Sequence, residues 1–333
     1  MKSIPSFAPL LESFFIQRLM KQRCASPHTI KSYRDTFHLL LVFIRNHLGK
    51  QPSELELTEI NAPLISEFLD DMEKKRNISP RSRNVRLAAI RSFFRYVAFE
   101  APAQSAQIQR VLAIPSKKHA RPVIHYLSKE EIKVLLATPD QYFWSGRRDH
   151  AFLLVAVQTG MRLSELTGLK KQDVVFGAGA HIRVIGKGRK ERCTPLTKQT
   201  AAVLNAWMSE PTRKPDSQVL FPNAQGNRLS ADGAQYILNK NLKPAREKCL
   251  SLKTKHVTMH SLRHSVAMEL LQAGVDRSMI ALWLGHESVE TTQIYLHANL
   301  ELKQEILDKT SMPEGKPGCY RPDDRLLSFL KSL

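Results

Sequence analysis

The chain has 333 residues, with 50 Lys and Arg against 31 Asp and Glu, so its formal charge is +19. A 42% hydrophobic content is that of a globular protein, which excludes a disordered basic tail, and the length suits about two domains. The longest apolar runs, Ala151–Val157 and Leu39–Ile44, are far shorter than the ~20 residues of a membrane span, so no membrane partner is expected.

The first third, residues 1–113, reads as a helical domain. Leu10, Phe14, Ile16, Leu19 and Met20 recur at roughly helical spacing. Ser26-Pro27, a cap followed by a first-turn proline, opens a longer helix through Tyr33, Phe37, Leu40, Leu41, Ile44 and Leu48, which Gly49 ends. A third helix runs from Asn61-Ala62-Pro63 through Ile65, Phe68, Leu69 and Met72. A fourth starts at Ser79-Pro80 and passes Leu87, Ile90, Phe94 and Val97, with Arg91 and Arg95 one turn apart beside its apolar stripe. Four helices with polar connections predict a small bundle. Residues 114–127, with Pro115, Pro122 and the cluster Lys117, Lys118, His119 and Arg121, read as an exposed basic linker or an ordinary loop.

From Ser128 a second domain is expected, reaching residue 310. Ile132, Leu135 and Leu136 mark a helix, Asp149 to Thr159 an apolar one, and Arg162-Leu163-Ser164-Glu165 the start of another. His181 to Ile185 alternates with β-formers, Gly186-Lys187-Gly188 is a turn, and Glu191 to Leu196 can return as a paired strand, giving a hairpin with lysine at its tip. The remainder to about Lys309 is mostly helical. Residues 311–333 form a Pro/Gly-containing tail ending in the amphipathic stretch Leu326, Leu327, Phe329 and Leu330.

The charge is shared between these regions: residues 1–113 hold 17 basic and 10 acidic side chains, and the rest hold 33 and 21. The densest basic runs are Lys74 to Arg95, Lys117 to Arg121 and Lys187 to Arg192. One such run is usually a solvated face, but three in a chain of this charge point to phosphate contact. Arg83, Arg86, Arg91, Arg95, Lys117, Lys118, Arg121, Arg189 and Lys190 are the candidate DNA-binding residues. Four scattered cysteines, Cys24, Cys193, Cys249 and Cys319, form no Cys-x-x-Cys pair, and no apolar signal segment is seen at the N-terminus. A cytoplasmic protein without a zinc or disulfide framework is expected.

Several segments can carry chemistry. In His260-Ser261-Leu262-Arg263-His264, His260 and Arg263 fall at i and i+3 on one helical face, where a guanidinium fork and an imidazole can hold a phosphate. Taken alone, such a pair is an ordinary surface feature. In Thr159-Gly160-Met161-Arg162-Leu163-Ser164-Glu165-Leu166, Arg162 stands at a helix start, where its side chain and backbone N–H groups can approach an anion, and where Glu165 can equally pair with it. Gly285 in Leu282-Trp283-Leu284-Gly285-His286 is a helix C-cap that leaves His286 in a turn. Thr291 and Thr292 can cap a further short helix carrying Tyr295.

The ordered set Thr-Gly-x-Arg-x-x-Glu-Leu, Gly-Lys-Gly, His-x-Leu-Arg-His, Leu-Gly-His and a tyrosine nine residues later resembles the tyrosine recombinases, the lambda-integrase-like enzymes. The motifs span about residues 128–300, and the first third resembles the family's SAM-like core-binding domain in layout. The resemblance implies a mainly α fold with a small antiparallel β-sheet, arranged as a two-domain C-shaped DNA clamp of helical core-binding domain plus α/β catalytic domain. By the same resemblance Arg162 and Arg263 clamp the scissile phosphate, Tyr295 is the nucleophile, His286 hydrogen-bonds the phosphate, and His260 assists proton transfer. Lys187 is the general acid for the departing 5′ oxygen, and Glu165 buttresses Arg162. Two guanidinium groups and an imidazole can stabilise the charge built on phosphorus without metal or cofactor. The chain has neither a Walker A motif nor a clustered Asp/Glu metal site.

The implied partner is double-stranded DNA with a specific recombination site, bound by a homotetramer across two sites, with room for an accessory DNA-bending or recombinase partner. The 311–333 tail would exchange between protomers. The layout suits a simple recombinase or a transposon-encoded integrase, serving a mobile element or replicon maintenance. Two other readings compete. A non-enzymatic helix-turn-helix regulator is suggested by Leu270 to Tyr295, but it leaves Arg162, Lys187 and the His-x-x-Arg pair unexplained. A type IB topoisomerase shares the chemistry, but the layout and the Gly-Lys-Gly hairpin favour the recombinase.

Overall fold

The computed structural model describes residues 6–119, 125–186, 191–210 and 218–285. The chain divides into two compact units, Met1–Pro122 and Val123–Leu333. In the first, α1 (Phe7–Ser13) continues into a π-helical stretch, Phe14–Gln22. That widened turn changes which positions share a face. Phe14 and Leu19, five apart, are buried, whereas Ile16 and Met20, expected on the same stripe from α-helical spacing, are each 47% exposed.

Three longer helices start where a polar cap meets proline. Ser26 Oγ accepts from the Thr29 N–H (3.2 Å) to open α2 (Pro27–Leu48), which ends on Gly49 at φ 68°. Asn61 Oδ1 accepts from Leu64 N–H (3.0 Å) to open α3 (Ala62–Arg76), and Ser79 Oγ from Ser82 N–H (3.2 Å) to open α4 (Pro80–Glu100). A fifth helix, α5 (Ser105–Ala113), was not expected. It has no side-chain cap, and only Ile108 and Val111 bury against the bundle, so it depends on tertiary packing rather than on a local signal. At the centre Phe93 makes edge-on contacts with Phe7, Phe14 and Phe37 at 5.3, 5.5 and 5.4 Å between ring centroids.

The segment after α5 is tied down at its start. Asn84 on α4 donates to Lys117 O (2.8 Å) and accepts from Lys117 N–H (3.0 Å), and Arg91 donates to Ile114 O and Ser116 Oγ. Ile114 is itself buried. The segment expected to be a linker or an ordinary loop is thus fastened along α4 as far as Lys117.

The second unit opens with α6 (Lys129–Leu136), where Ser128 and Glu131 form a reciprocal cap. The helix expected from Asp149 begins five residues earlier, as α7 (Trp144–Thr159). Its first turns hide their burial behind charge: Arg148 turns inward to Asp149 (3.0 and 2.7 Å) and Pro222 O (3.1 Å), with its guanidinium 5.4 Å from the Trp144 ring centre. After α8 (Leu163–Gly168) come β1 (Val174–Val175), β2 (His181–Ile185) and β3 (Glu191–Pro195), an antiparallel sheet in the order β1-β2-β3. Ile182 and Val184 face inward, as the alternation predicts, and Val184 pairs with Arg192. Helices α9 (Lys198–Met208), α10 (Ala231–Lys248), α11 (Met259–Gln272) and α12 (Arg277–Leu284) complete the described chain. The protein is mainly helical with one small antiparallel sheet, as the sequence implied. Among the described residues no helix is long and apolar enough to cross a membrane.

Candidate active site

The site forms where α7, α8, α11 and α12 meet. Gly160 caps α7 at φ 61°, and a Cβ there would lie 2.7 Å from Leu284 Cδ2 and 3.2 Å from Val266 Cβ. Glycine is thus needed twice, for the left-handed turn and for the close approach of α7 to α11 and α12. Gly285 caps α12 in the same way, at φ 68°.

Those two helix ends leave carbonyls without helical partners, and two arginines reach them. Arg263 is 3% exposed and donates from Nη1 to Gly160 O (2.7 Å) and from Nη2 to Leu284 O (2.8 Å). Arg162 donates from Nη2 to Gly285 O (2.6 Å) and from Nη1 to Glu165 Oε1 (3.0 Å), with its side chain 31% exposed. The negative ends of two helices therefore draw together guanidinium groups that lie 101 positions apart in the chain. The Arg162 backbone N–H is spent on Glu165 Oε2 (2.9 Å), and α8 has only six residues, so the expected anion site at that helix start reduces to the Arg162 side chain.

His260 stands one turn before Arg263, with its ring centroid 4.3 Å from that of His264 at an interplanar angle of 69°. Although the residue keeps solvent access, the surrounding protein strips part of its hydration, and the charges of Arg263 and then Arg162 add to this; together they lower its pKa below the ordinary 6.5. His260 is therefore neutral at pH 7, able to accept a proton. Any step that needs the neutral imidazole persists as pH falls through 6.5 and fails only below it. We expect the acid limb of the DNA-cleavage rate to lie below pH 6.5, and to vanish or move in His260→Gln. A limb at 6.5 or above in the unsubstituted chain would contradict this.

Sequence reasoning missed Arg192. From β3 it forks onto Glu165, Nη1 to Oε1 (3.1 Å) and Nη2 to Oε2 (2.7 Å), with its side chain 13% exposed. A signal existed: the alternation that turns Thr194 inward turns Arg192 inward too, and an inward arginine needs an anion. Burial pushes the Glu165 carboxyl upward, but the Arg192 hydrogen bonds, the Arg162 N–H, the Arg192 charge and the Arg162 side-chain hydrogen bond outweigh it and hold the group below the usual carboxylate range. Arg228 braces α8 from its other side, donating to Ser164 O (2.6 Å) and Thr167 Oγ1 (3.1 Å).

The remaining candidates divide. Lys187, Arg189, Lys190, His286, Tyr295 and Arg121 lie outside the described residues, although β2 and β3 flank positions 187–190 and Gly285 directly precedes His286. Arg83 is 5% exposed and turns to Glu73 (3.4 Å), which also accepts from Lys117 (2.6 Å). Arg83 is therefore corrected from a surface contact to an inward-facing residue that orders α3 against α4. Arg91 is spent on the segment after α5. Arg86 borders a hollow of about 350 Å³ with His28, Lys31 and Ser82, where burial and the neighbouring Arg76 charge lower its pKa. Arg95 joins Arg18 and Arg23 around another hollow, and Lys118 is exposed.

The Phage integrase family model matches residues 125–301, and the Phage integrase N-terminal SAM-like domain model matches residues 13–100. A Sinorhizobium fredii protein named for integrase/recombinase function, y4rC, is 64% identical over 98% of both chains. The tyrosine recombinase XerC of Oceanobacillus iheyensis is 32% identical over 89% of this chain and 94% of its own. The crystal structure of the XerH site-specific recombinase bound to palindromic difH substrate aligns at TM-score 0.69, covering 92% of this chain and 89% of that one, at 22% identity.

Proposed function

The chain belongs to the phage integrase family and is a tyrosine site-specific recombinase, and we propose that Tyr295, Arg162, Arg263, His260, His286 and Lys187 are the groups with which it cuts and rejoins DNA. The Tyr295 phenol oxygen attacks the scissile phosphorus, forming a P–O bond as the bond to the 5′ oxygen breaks. The products are a 3′-phosphotyrosine and a free 5′ hydroxyl. A phenol of pKa ~10 needs an acceptor for its proton, which neutral His260 assists, and the leaving alkoxide needs a donor, Lys187. Arg162, Arg263 and His286 stabilise the charge that grows on the non-bridging oxygens. Because the phosphotyrosine ester retains the phosphodiester energy, a 5′ hydroxyl from another strand reverses the step without ATP.

The single observation that carries this reading is the convergence of Arg162, Arg263 and His260 at the paired ends of α7 and α12. A regulator that only binds DNA has no evident use for two arginines and a histidine gathered at adjoining helix ends. Residues 1–113 serve as core-binding domain, residues 114–127 as linker, 128–310 as catalytic domain and 311–333 as protomer-exchange tail. The substrate is duplex DNA with a defined site, recombined by four protomers on two sites, for a mobile element or replicon maintenance. Cations such as Arg86, Arg95, Lys118, Arg121, Arg189 and Lys190 neutralise flanking phosphates, which makes binding steeply salt-dependent.

The test is covalent capture. Adducts recovered from genomic DNA should map to one short sequence, and a nicked duplex carrying it should trap the protein on a 3′ phosphate. Binding shifts with no adduct would support the regulator instead, and relaxation of any supercoiled plasmid would support a topoisomerase.

A further inference from the structure

We infer that Arg192 is a positioning residue for strand cleavage: it is the standing counterion of Glu165, and it lets that carboxylate orient Arg162 without withholding Arg162 from the scissile phosphate. The inference rests on the reading of Arg162 as a phosphate ligand and extends it to a residue with no contact to DNA of its own.

The geometry is that of one carboxylate shared by two guanidinium groups. Glu165 has a side chain 5% exposed, and each of its oxygens accepts from both arginines. Oε1 takes Arg162 Nη1 (3.0 Å) and Arg192 Nη1 (3.1 Å), while Oε2 takes the Arg162 backbone N–H (2.9 Å) and Arg192 Nη2 (2.7 Å). The two arginines differ in reach, because the Arg162 side chain is 31% exposed and that of Arg192 is 13%. Arg162 is the member of the trio that a phosphate can engage, and Arg192 is the one that stays behind.

Arg192 also touches the second support of Arg162. A Cβ on Gly285 would lie 2.8 Å from Arg192 Nη1 and 2.9 Å from its Cζ, so the guanidinium packs directly on the backbone whose carbonyl accepts from Arg162 Nη2 (2.6 Å). Both groups that orient Arg162, the Glu165 carboxylate and the Gly285 carbonyl, thus lean on Arg192. In charge terms, Arg162 and Glu165 alone sum to zero, and a phosphate gaining negative charge beside them would meet a buried carboxylate as well as a guanidinium. With Arg192 the trio carries +1, and Glu165 keeps a bidentate partner when Arg162 turns a donor toward the phosphate. Removing Arg192 should therefore slow the chemical step more than it weakens DNA binding.

The experiment measures single-turnover adduct formation on the nicked duplex, together with DNA affinity, for Arg192→Met, Arg192→Lys, Glu165→Gln and the double variant Arg192→Met/Glu165→Gln, with Arg162→Ala run beside them. Arg192→Met should lower the cleavage rate roughly 100-fold with little change in affinity. Adding Glu165→Gln should bring the rate back to within roughly tenfold of the unsubstituted chain, since the harm comes from a carboxylate left without its counterion. Arg192→Lys should retain more activity than Arg192→Met. A residue that only packs the fold would not be rescued by removing a second polar contact, so a double variant as slow as Arg192→Met or slower overturns the inference. So does a full rate in Arg192→Met. Should Arg192→Met fail to fold, Arg192→Gln against Arg192→Gln/Glu165→Gln reads the same coupling, with rescue by the second substitution expected and its absence overturning the inference. If Arg162→Ala itself cleaves at the full rate, the catalytic assignment of Arg162 falls, an outcome separate from failure at Arg192.

Discussion

Tyr295→Phe is expected to bind its DNA site with unchanged affinity and to form no covalent adduct. The substitution removes one oxygen atom and keeps the ring, so any contact the ring makes is retained. What is lost is the atom proposed to form the bond to phosphorus. The proposed mechanism uses no other nucleophile, and the loss of rate should reach at least about 10⁴-fold, below detection on a denaturing gel. Binding by gel shift supplies the control, because affinity arises from the many phosphate contacts of the basic surface and not from the nucleophile. An adduct that survives in Tyr295→Phe places the nucleophile at another residue, and the tyrosine nine positions after His286 would lose its role.

How far such a site can be read before folding depends on whether the signal is local. The starts of α2, α3 and α4 were legible because a side-chain acceptor and a first-turn proline act within one turn of chain, as at Ser26-Pro27, Asn61-Ala62-Pro63 and Ser79-Pro80. Gly285 was legible as a helix C-cap and is one, at φ 68°, but the close approaches that also demand glycine at both motifs were not legible. Gly160 is required by Leu284 and Val266, and Gly285 by Arg192, all distant in sequence. The inward arginines were the main failure. Arg83 looks in sequence like any surface cation, and Arg192 is set apart only by sharing a strand face with Thr194; the partner of each is a carboxylate elsewhere, Glu73 on another helix and Glu165, 27 residues away. The π-helical stretch defeated periodicity for a simpler reason, as reading Phe14 to Gln22 with an α-helical period selects the wrong face. Local chemistry announces helix ends, while pairing of buried charge is a property of the tertiary fold.

Arg263→Ala and Arg162→Ala should each reduce adduct formation by about 10²–10³-fold, yet only Arg263→Ala should also lower thermal stability markedly. Both side chains are proposed to serve the phosphate, but they carry different structural duties. Arg263 is buried and satisfies Gly160 O and Leu284 O, the carbonyls that end α7 and α12. Deleting it leaves both acceptors unpaired and empties the space between the helices, at a cost of about 1–3 kcal/mol per orphaned group. For a unit of this size that corresponds to a fall in Tm of about 2–4 °C per kcal/mol. Arg162 is a third exposed, its carboxylate partner Glu165 retains Arg192 when it is gone, and the one carbonyl it leaves, Gly285 O, belongs to a half-buried residue that water can reach, so its removal should move Tm much less. Arg263→Lys sharpens the contrast: it keeps the charge, but one ammonium cannot span two carbonyls that a planar guanidinium bridges at 2.7 and 2.8 Å. It should recover little of either property. If instead Arg263→Ala loses activity with no loss of Tm, its bonds to the two helix ends are not what orders the site. If Arg162→Ala unfolds as readily as Arg263→Ala, the division between an arginine that builds the site and one that serves it does not hold.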